Sequence, residues 1–257
     1  MVTFHIDTVQ IRVFLSVLLR LSLVLFLLPV FRTRQVPMAV KAWSVWALSF
    51  MAAPLTAPSV PPLPLEPLPL AGTMISELIY ATLFALSMHV IYGAFHMAGQ
   101  LMAFQMGLGF AQVVDPQNGT QDVLLSQWLQ ILATLFFFAI QGHLVVIRTF
   151  IESFQAVPVG SFLPTPNIVH NIFTLSGRLF VIALKIAAPV MSAQLLLQAG
   201  FALVAKFSPQ INVLMVSFPI TIGVGIFFAL LSLPEWAQSV STALTVLLKF
   251  FRAVGLS

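Results

Sequence analysis

The chain has 257 residues, of which 60% are hydrophobic and 7% charged, with a mean hydropathy of +1.04 and a formal net charge of +4. A soluble domain carries about 25% charged residues, so this composition excludes a soluble enzyme and indicates an integral membrane protein. There is no cysteine, which removes disulfides and thiol chemistry, and the scattered basic residues form no stripe of the kind a nucleic-acid backbone requires.

Long Leu, Val and Ile runs with 24 phenylalanines read as helices, not as the period-two strands of a barrel. Apolar segments follow one another at 11–31, 40–57, 74–106, 124–151, 168–205 and 211–233, with an amphipathic tail at 236–252. The first is expected to stay as a helix, because residues 1–10 lack a basic region and no small-residue cleavage site follows the apolar run. The proline-rich stretch from Pro54 to Pro69, within a linker over 54–73, favours extended backbone. A span needs about 20 apolar residues. Segments 74–106 and 168–205 exceed that, so each is two helices, a kinked helix or one that projects beyond the bilayer. Pro189 and Gly200 are the expected break points of the second.

Arg32, Arg34 and Lys41 point to a cytoplasmic loop after the first segment. Simple alternation then places 107–123 on the same side, yet that stretch has Asp115 and Asp122 and no Lys or Arg. Re-entrant or non-spanning helices within an assembly fit this pattern better than a zigzag of spans.

Three polar stripes appear at 100° per residue. His89, Gly93, His96, Gln100, Ala103 and Gly107 form the first, Gln130, Thr134, Gln141, Arg148 and Glu152 the second, and Asn171, Thr174, Arg178, Lys185 and Ser192 the third. Arg148 and Glu152 are an i,i+4 pair, in the weaker orientation. Buried charge in a membrane pairs or lines a water path, which makes Glu77 and Glu152 the expected partners of Arg178 and Lys185. Any single stripe reads as helix-to-helix contact within one bundle; all three together favour partner subunits or a conduit. His89 and His96 lie about 10 Å apart along a helix axis, too far for one zinc ion, and no metal or cofactor is expected. No G-x-S-x-G, H-E-x-x-H or phosphate-cradling glycine loop is present.

The end of segment 74–106 is the most unusual stretch. It carries Gln100 and Gln105, has Met88, Met97, Met102 and Met106 in or just before it, passes into Gly107-Leu108-Gly109-Phe110, and stops at Asp115-Pro116. Unpaired polar groups in hydrocarbon cost several kcal/mol each, so this stretch is expected to face protein or an aqueous passage. Glycine bends without steric cost, methionine repacks around varied shapes, and Asp-Pro suits a turn.

Several motifs in order resemble the FliR family of flagellar export-gate proteins. They are Ala98-Gly99-Gln100, Gln105-Met106-Gly107, Phe110-Ala111, Asp115-Pro116, Gly142-His143, Glu152-Ser153-Phe154, Pro158-x-Gly160, Ile186-Ala187-x-Pro189, Pro209-Gln210-x-Asn212 and Phe218-Pro219 with Gly223, and Glu77 stands where the family carries an acid. The resemblance covers nearly the whole chain, 1–257, as a single domain. It implies an all-α membrane protein of long, kinked helices and helical hairpins, similar to a fused FliP–FliQ pair and packed in a hetero-oligomeric gate. It also implies FliP-like and FliQ-like partners, with FlhB-like and FlhA-like export components, membrane lipid and unfolded export substrates. The location it implies is the bacterial inner membrane at the flagellar basal body, with no catalysis by the chain itself. Under it, 107–123 is a plug loop, with Met106, Gly107, Leu108, Gly109, Phe110, Asp115 and Pro116 at the gate. Glu77, Gln100, Gln105, Arg148, Glu152, Arg178, Lys185, Pro209, Gln210 and Asn212 are then expected at subunit contacts. The alternatives are a secondary transporter with a polar site at the midplane and an assembly scaffold without a conduit.

Overall fold

The computed structural model describes residues 8–27, 37–108, 124–210 and 212–255. Every regular element among them is an α-helix: α1 (Thr8–Leu27), α2 (Met38–Thr56), α3 (Pro67–Gln105), α4 (Leu124–Ala139), α5 (Gly142–Ala156), α6 (Pro166–Phe207), α7 (Val213–Leu231) and α8 (Leu233–Gly255). The chain is an all-α membrane protein. By length and composition α1, α2, α3 and α6 can each cross a bilayer, while α4 with α5, and α7 with α8, qualify only as bent pairs. α2 exposes Trp43, Trp46 and Phe50, amphipathic or apolar rings suited to lipid.

The element boundaries depart from the sequence expectation in three places. Segment 124–151 is two helices, because Gln141 takes a left-handed conformation (φ 57°) between Ala139 and Gly142. That conformation ends a right-handed helix, so Gln130 and Thr134 share no helix face with Arg148 and Glu152. Of the forms left open for segments 74–106 and 168–205, each takes one long helix, and the break expected in the second does not occur. α6 runs through Pro189 and Gly200 unbroken. A proline inside a helix costs about 3 kcal/mol, but here Ala183, Ile186, Ala187 and Val190, all at most 1% exposed, pack the same stretch into a core. The linker is shorter than its proline content suggests. α2 includes Pro54, and α3 starts on Pro67, where a missing N–H leaves no helical bond unmade.

The chain divides into two compact units. The first contains residues 1–89, 141–175 and 245–257, the second 90–140 and 176–244. In the first, Val17, Ala81, Phe84 and Phe154 are wholly buried, and the rings of Phe84 and Phe150 meet edge to face at 6.0 Å. The linker is tied to α1: Arg12 Nε donates to the Leu63 carbonyl at 2.7 Å, and the Ser16 hydroxyl to that of Pro61 at 3.0 Å. These bonds satisfy carbonyls that extended, proline-rich backbone leaves without partners.

In the second unit α3 lies very close to the start of α4. A Cβ built on Gly99 would stand 2.5 Å from Ser126 Cα. Small residues permit such backbone approach between membrane helices. Trp236, 2% exposed, anchors α8 by donating its indole N–H to the Ile186 carbonyl at 3.1 Å. Gly99→Ala should therefore separate α3 from α4. Overpacking of this kind costs about 1–3 kcal/mol, and the expected drop in thermal stability in detergent is measurable against Gly177→Ala, where a Cβ meets nothing within 4 Å.

Candidate functional site

Each unit holds one polar cluster that its apolar sequence would not otherwise tolerate. In the first, Arg20 lies in the middle of α1 with its side chain fully buried, paired to the equally buried Glu77 of α3. The contact is two-pronged: Nε to Oε2 at 2.6 Å and Nη2 to Oε1 at 2.7 Å. Arg20 Nη1 donates to the Val157 carbonyl at 2.8 Å and the Ser153 carbonyl at 3.3 Å. Ser153 belongs to the last turn of α5, its carbonyl also accepting the Val157 N–H at 2.9 Å, and Val157 caps the helix, at the end whose dipole favours a cation. The guanidinium carbon sits 4.8 Å from the ring centres of both Tyr80 and Phe154. Glu77 Oε1 also accepts the Gly160 N–H at 2.9 Å. Gly160 holds φ +81°, and a Cβ there would press on Thr73 at 3.0 Å, so only glycine presents its amide this way without strain. The Ser76 hydroxyl then bonds the Phe162 carbonyl at 2.9 Å.

This cluster fastens α1, α3, α5 and the turn after α5 together. It corrects the sequence expectation for Glu77. Glu77 is satisfied by Arg20 inside the unit, leaving it no capacity for Arg178 or Lys185. Elsewhere in the unit Glu152 keeps the i,i+4 pairing its spacing suggests, with Arg148 at 2.9 Å on the surface, and not one with Arg178 or Lys185. Arg20 had no place among the polar stripes; its signal in the sequence is a lone cation in the middle of the run from Val13 to Phe31.

The second cluster closes the C-terminus of α3. Leu108 N bonds the Ala103 carbonyl at 2.9 Å and Gly107 N the Phe104 carbonyl at 3.1 Å, with Gly107 at φ +81°. This is a Schellman cap, which needs a left-handed residue at the position Gly107 fills. A Cβ on Gly107 would meet the Phe218 ring at 2.8 Å. Met106 is 1% exposed and rests against Gly225, where a Cβ would come within 2.6 Å of its Cγ and Sδ. The Met106 carbonyl accepts from the Thr221 hydroxyl at 3.2 Å, and the Thr221 carbonyl accepts from the wholly buried Gln194 of α6 at 2.6 Å. Gln198 donates to Gln105 Oε1 at 3.0 Å.

Of the expected gate residues, Met106, Gly107 and Leu108 therefore form a fixed helix end, while Gly109, Phe110, Asp115 and Pro116 lie outside the described residues. Met88, Met102 and Met106 are all at most 1% exposed. They fill the cores of their units, and are not available as a loose seal. Gln100 is exposed, with Nε2 3.0 Å from His96 Nε2. Arg178, Lys185, Pro209, Gln210 and Asn212 are exposed, and the Asn212 side chain caps α7 through the Met215 N–H at 3.4 Å. Gln194, Thr221, Phe218 and Gly225 join the cluster only through folding. No group of three or more His, Asp and Glu side chains able to hold a metal ion occurs among the described residues.

Leaving one member of a buried ion pair unpaired costs about 3–5 kcal/mol, while replacing both by apolar residues can be neutral. Arg20→Leu and Glu77→Leu should thus each lower the unfolding temperature in detergent sharply. The double variant should unfold at a higher temperature than either single one.

Residues 11–246 match the family described as "Bacterial export proteins, family 1". The flagellar biosynthetic protein FliR of Aquifex aeolicus (strain VF5) is 34% identical over 220 residues, covering 82% of this chain and 81% of its own. The protein of the same name from Pectobacterium carotovorum subsp. carotovorum is 31% identical over 214 residues, covering 80% and 78%. That of Escherichia coli (strain K12) is 29% identical over 210 residues, covering 81% and 79%.

Proposed function

Because the chain belongs to the FliR family, a membrane-embedded component of the flagellar export apparatus, we propose that it helps form and close the channel through which unfolded flagellar proteins leave the cell. On this reading it works without catalysis in the bacterial inner membrane, joined to FliP-like and FliQ-like subunits and, through them, to FlhB-like and FlhA-like components. Its helices stand in for a fused FliP–FliQ pair.

The observation that carries the closing role is the anchored end of α3. A closure must resist being pushed aside, so the chain entering it needs a fixed root. Met106 and Gly107 supply one, with the helix capped, the methionine buried and its carbonyl tied through Thr221 to Gln194. Residues 109–123 start from that root, and their Gly109, Phe110 and Asp115-Pro116 have the chemistry of a compact apolar stopper with a turned exit.

The surface pair Arg148 and Glu152 has side chains 82% and 51% exposed. In water such a pair contributes about 0–1 kcal/mol, too little to account for its place on a helix of an apolar chain. Burial against a neighbouring subunit makes it matter more.

Removal of residues 109–113, which spares the Gly107 cap, should raise ion leakage through the complex reconstituted in planar bilayers while its subunits still co-purify. Unchanged conductance would remove the closing role. Glu152→Ala should reduce recovery of the intact complex more than insertion of the chain itself, as quantified by mass analysis of gently solubilised membranes; equal recovery would show that the pair is a surface feature only.

A further inference from the structure

α6 carries an exposed line of residues at alternating spacings of three and four: Arg178, Val181, Lys185, Ala188, Ser192 and Leu195. Every one of them is exposed, Val181 by 52% and Leu195 by 56%. An average spacing of 3.5 keeps one line of a helix in continuous contact with another helix. Small Ala188 and Ser192 permit close approach. The Ser192 hydroxyl is already bonded to the Ala188 and Pro189 carbonyls at 2.8 and 3.0 Å, so it presents mainly its apolar side.

The two cations on this line lack compensation. α6 contains no acidic residue, and among the described residues neither Arg178 nor Lys185 has an ion-pair partner. An unpaired Arg or Lys at the centre of a membrane helix costs about 2.5–3.5 kcal/mol on insertion scales.

We infer that this line of α6 is the docking surface for a helix of a different subunit, one that carries two carboxylates about two turns apart facing Arg178 and Lys185. A second copy of this chain does not fit, since it would set cation against cation. An anionic lipid surface fits less well. The two charges are about 10 Å apart along the axis, with the exposed Phe180, Val181 and Leu184 between them, whereas headgroups present their charge at a single depth. Carboxylates one heptad apart on a facing helix meet both cations and bury the apolar residues between them. The inference rests on the hetero-oligomeric reading above and specifies the chemistry of one contact within it.

The test is mass analysis of the complex purified from its own bacterium, comparing the wild-type chain with Arg178→Glu/Lys185→Glu and with the charge-preserving Arg178→Lys/Lys185→Arg. The reversal should cut recovery of one partner subunit by more than about tenfold, as expected when buried charge pairs become like-charge contacts. The level of the chain in the membrane should not change, and the charge-preserving variant should retain the partner. Restoration of the complex by an acid-to-lysine change in a helix of that partner would identify the facing residue. A reversed chain that keeps every subunit overturns the inference, including when it loses only co-purifying anionic lipid or slows export without losing a subunit. A wild-type chain that purifies without any partner defeats the assembly reading itself, which separates the two failures.

Discussion

The heaviest electrostatic demand in this chain is made by Arg20 and Glu77, two full charges wholly withdrawn from solvent. Taking such groups out of water costs several kcal/mol each even after relaxation, so their surroundings have to supply nearly every hydrogen bond that water would. The first unit is arranged around that requirement. α1 brings the guanidinium and α3 the carboxylate. The end of α5 supplies carbonyl oxygens, Gly160 an amide, and Tyr80 and Phe154 the ring faces. Few other arrangements satisfy all of these groups at once, which is why the pair gives the apolar helices one register where hydrophobic burial alone would allow several.

The second unit meets a neutral version of the same problem. The end of a long helix leaves unpaired carbonyls, and α3 ends where its neighbours are close. Gly107 resolves this by turning left-handed and closing the cap, while Thr221 and Gln194 take up the Met106 carbonyl and each other. Glycine recurs at the contacts, at Gly99 against Ser126 and at Gly225 against Met106. In each case the missing Cβ lets a second chain segment occupy the space. The end of α3 is thus capped and tied to α6 and α7 just before residue 109.

The motif pieces that pointed to the FliR family gather at these two clusters. Glu77, Ser153-Phe154 and Gly160 surround Arg20. Gln105-Met106-Gly107 and Phe218 meet at the end of α3. Pieces spread along the chain have a common physical purpose, which is to satisfy polar groups in apolar surroundings. Other pieces serve locally, as Asn212 does in capping α7.

Much was legible in the sequence because it depends on composition and local rules. The apolar runs and scarcity of charge determined an all-α membrane protein, and Gly107 marked the end of a helix. Ordered motifs carried the family. The local pair of Arg148 and Glu152 was legible from its spacing, but long-range pairing was not, since it links residues far apart in the chain. By charge alone Glu77 fits several cations, and only folding selects Arg20, 57 residues away. The helix boundaries were decided the same way: core packing carries α6 through Pro189, whereas a left-handed Gln141 divides α4 from α5. Local preference is worth a few kcal/mol at most for any one residue, and tertiary burial, summed over a helix face, outweighs it. The sequence by itself therefore determined what kind of protein this is and which residues are unusual. The tertiary structure decided which of them are satisfied within the chain, and which, like Arg178 and Lys185, are left facing outward.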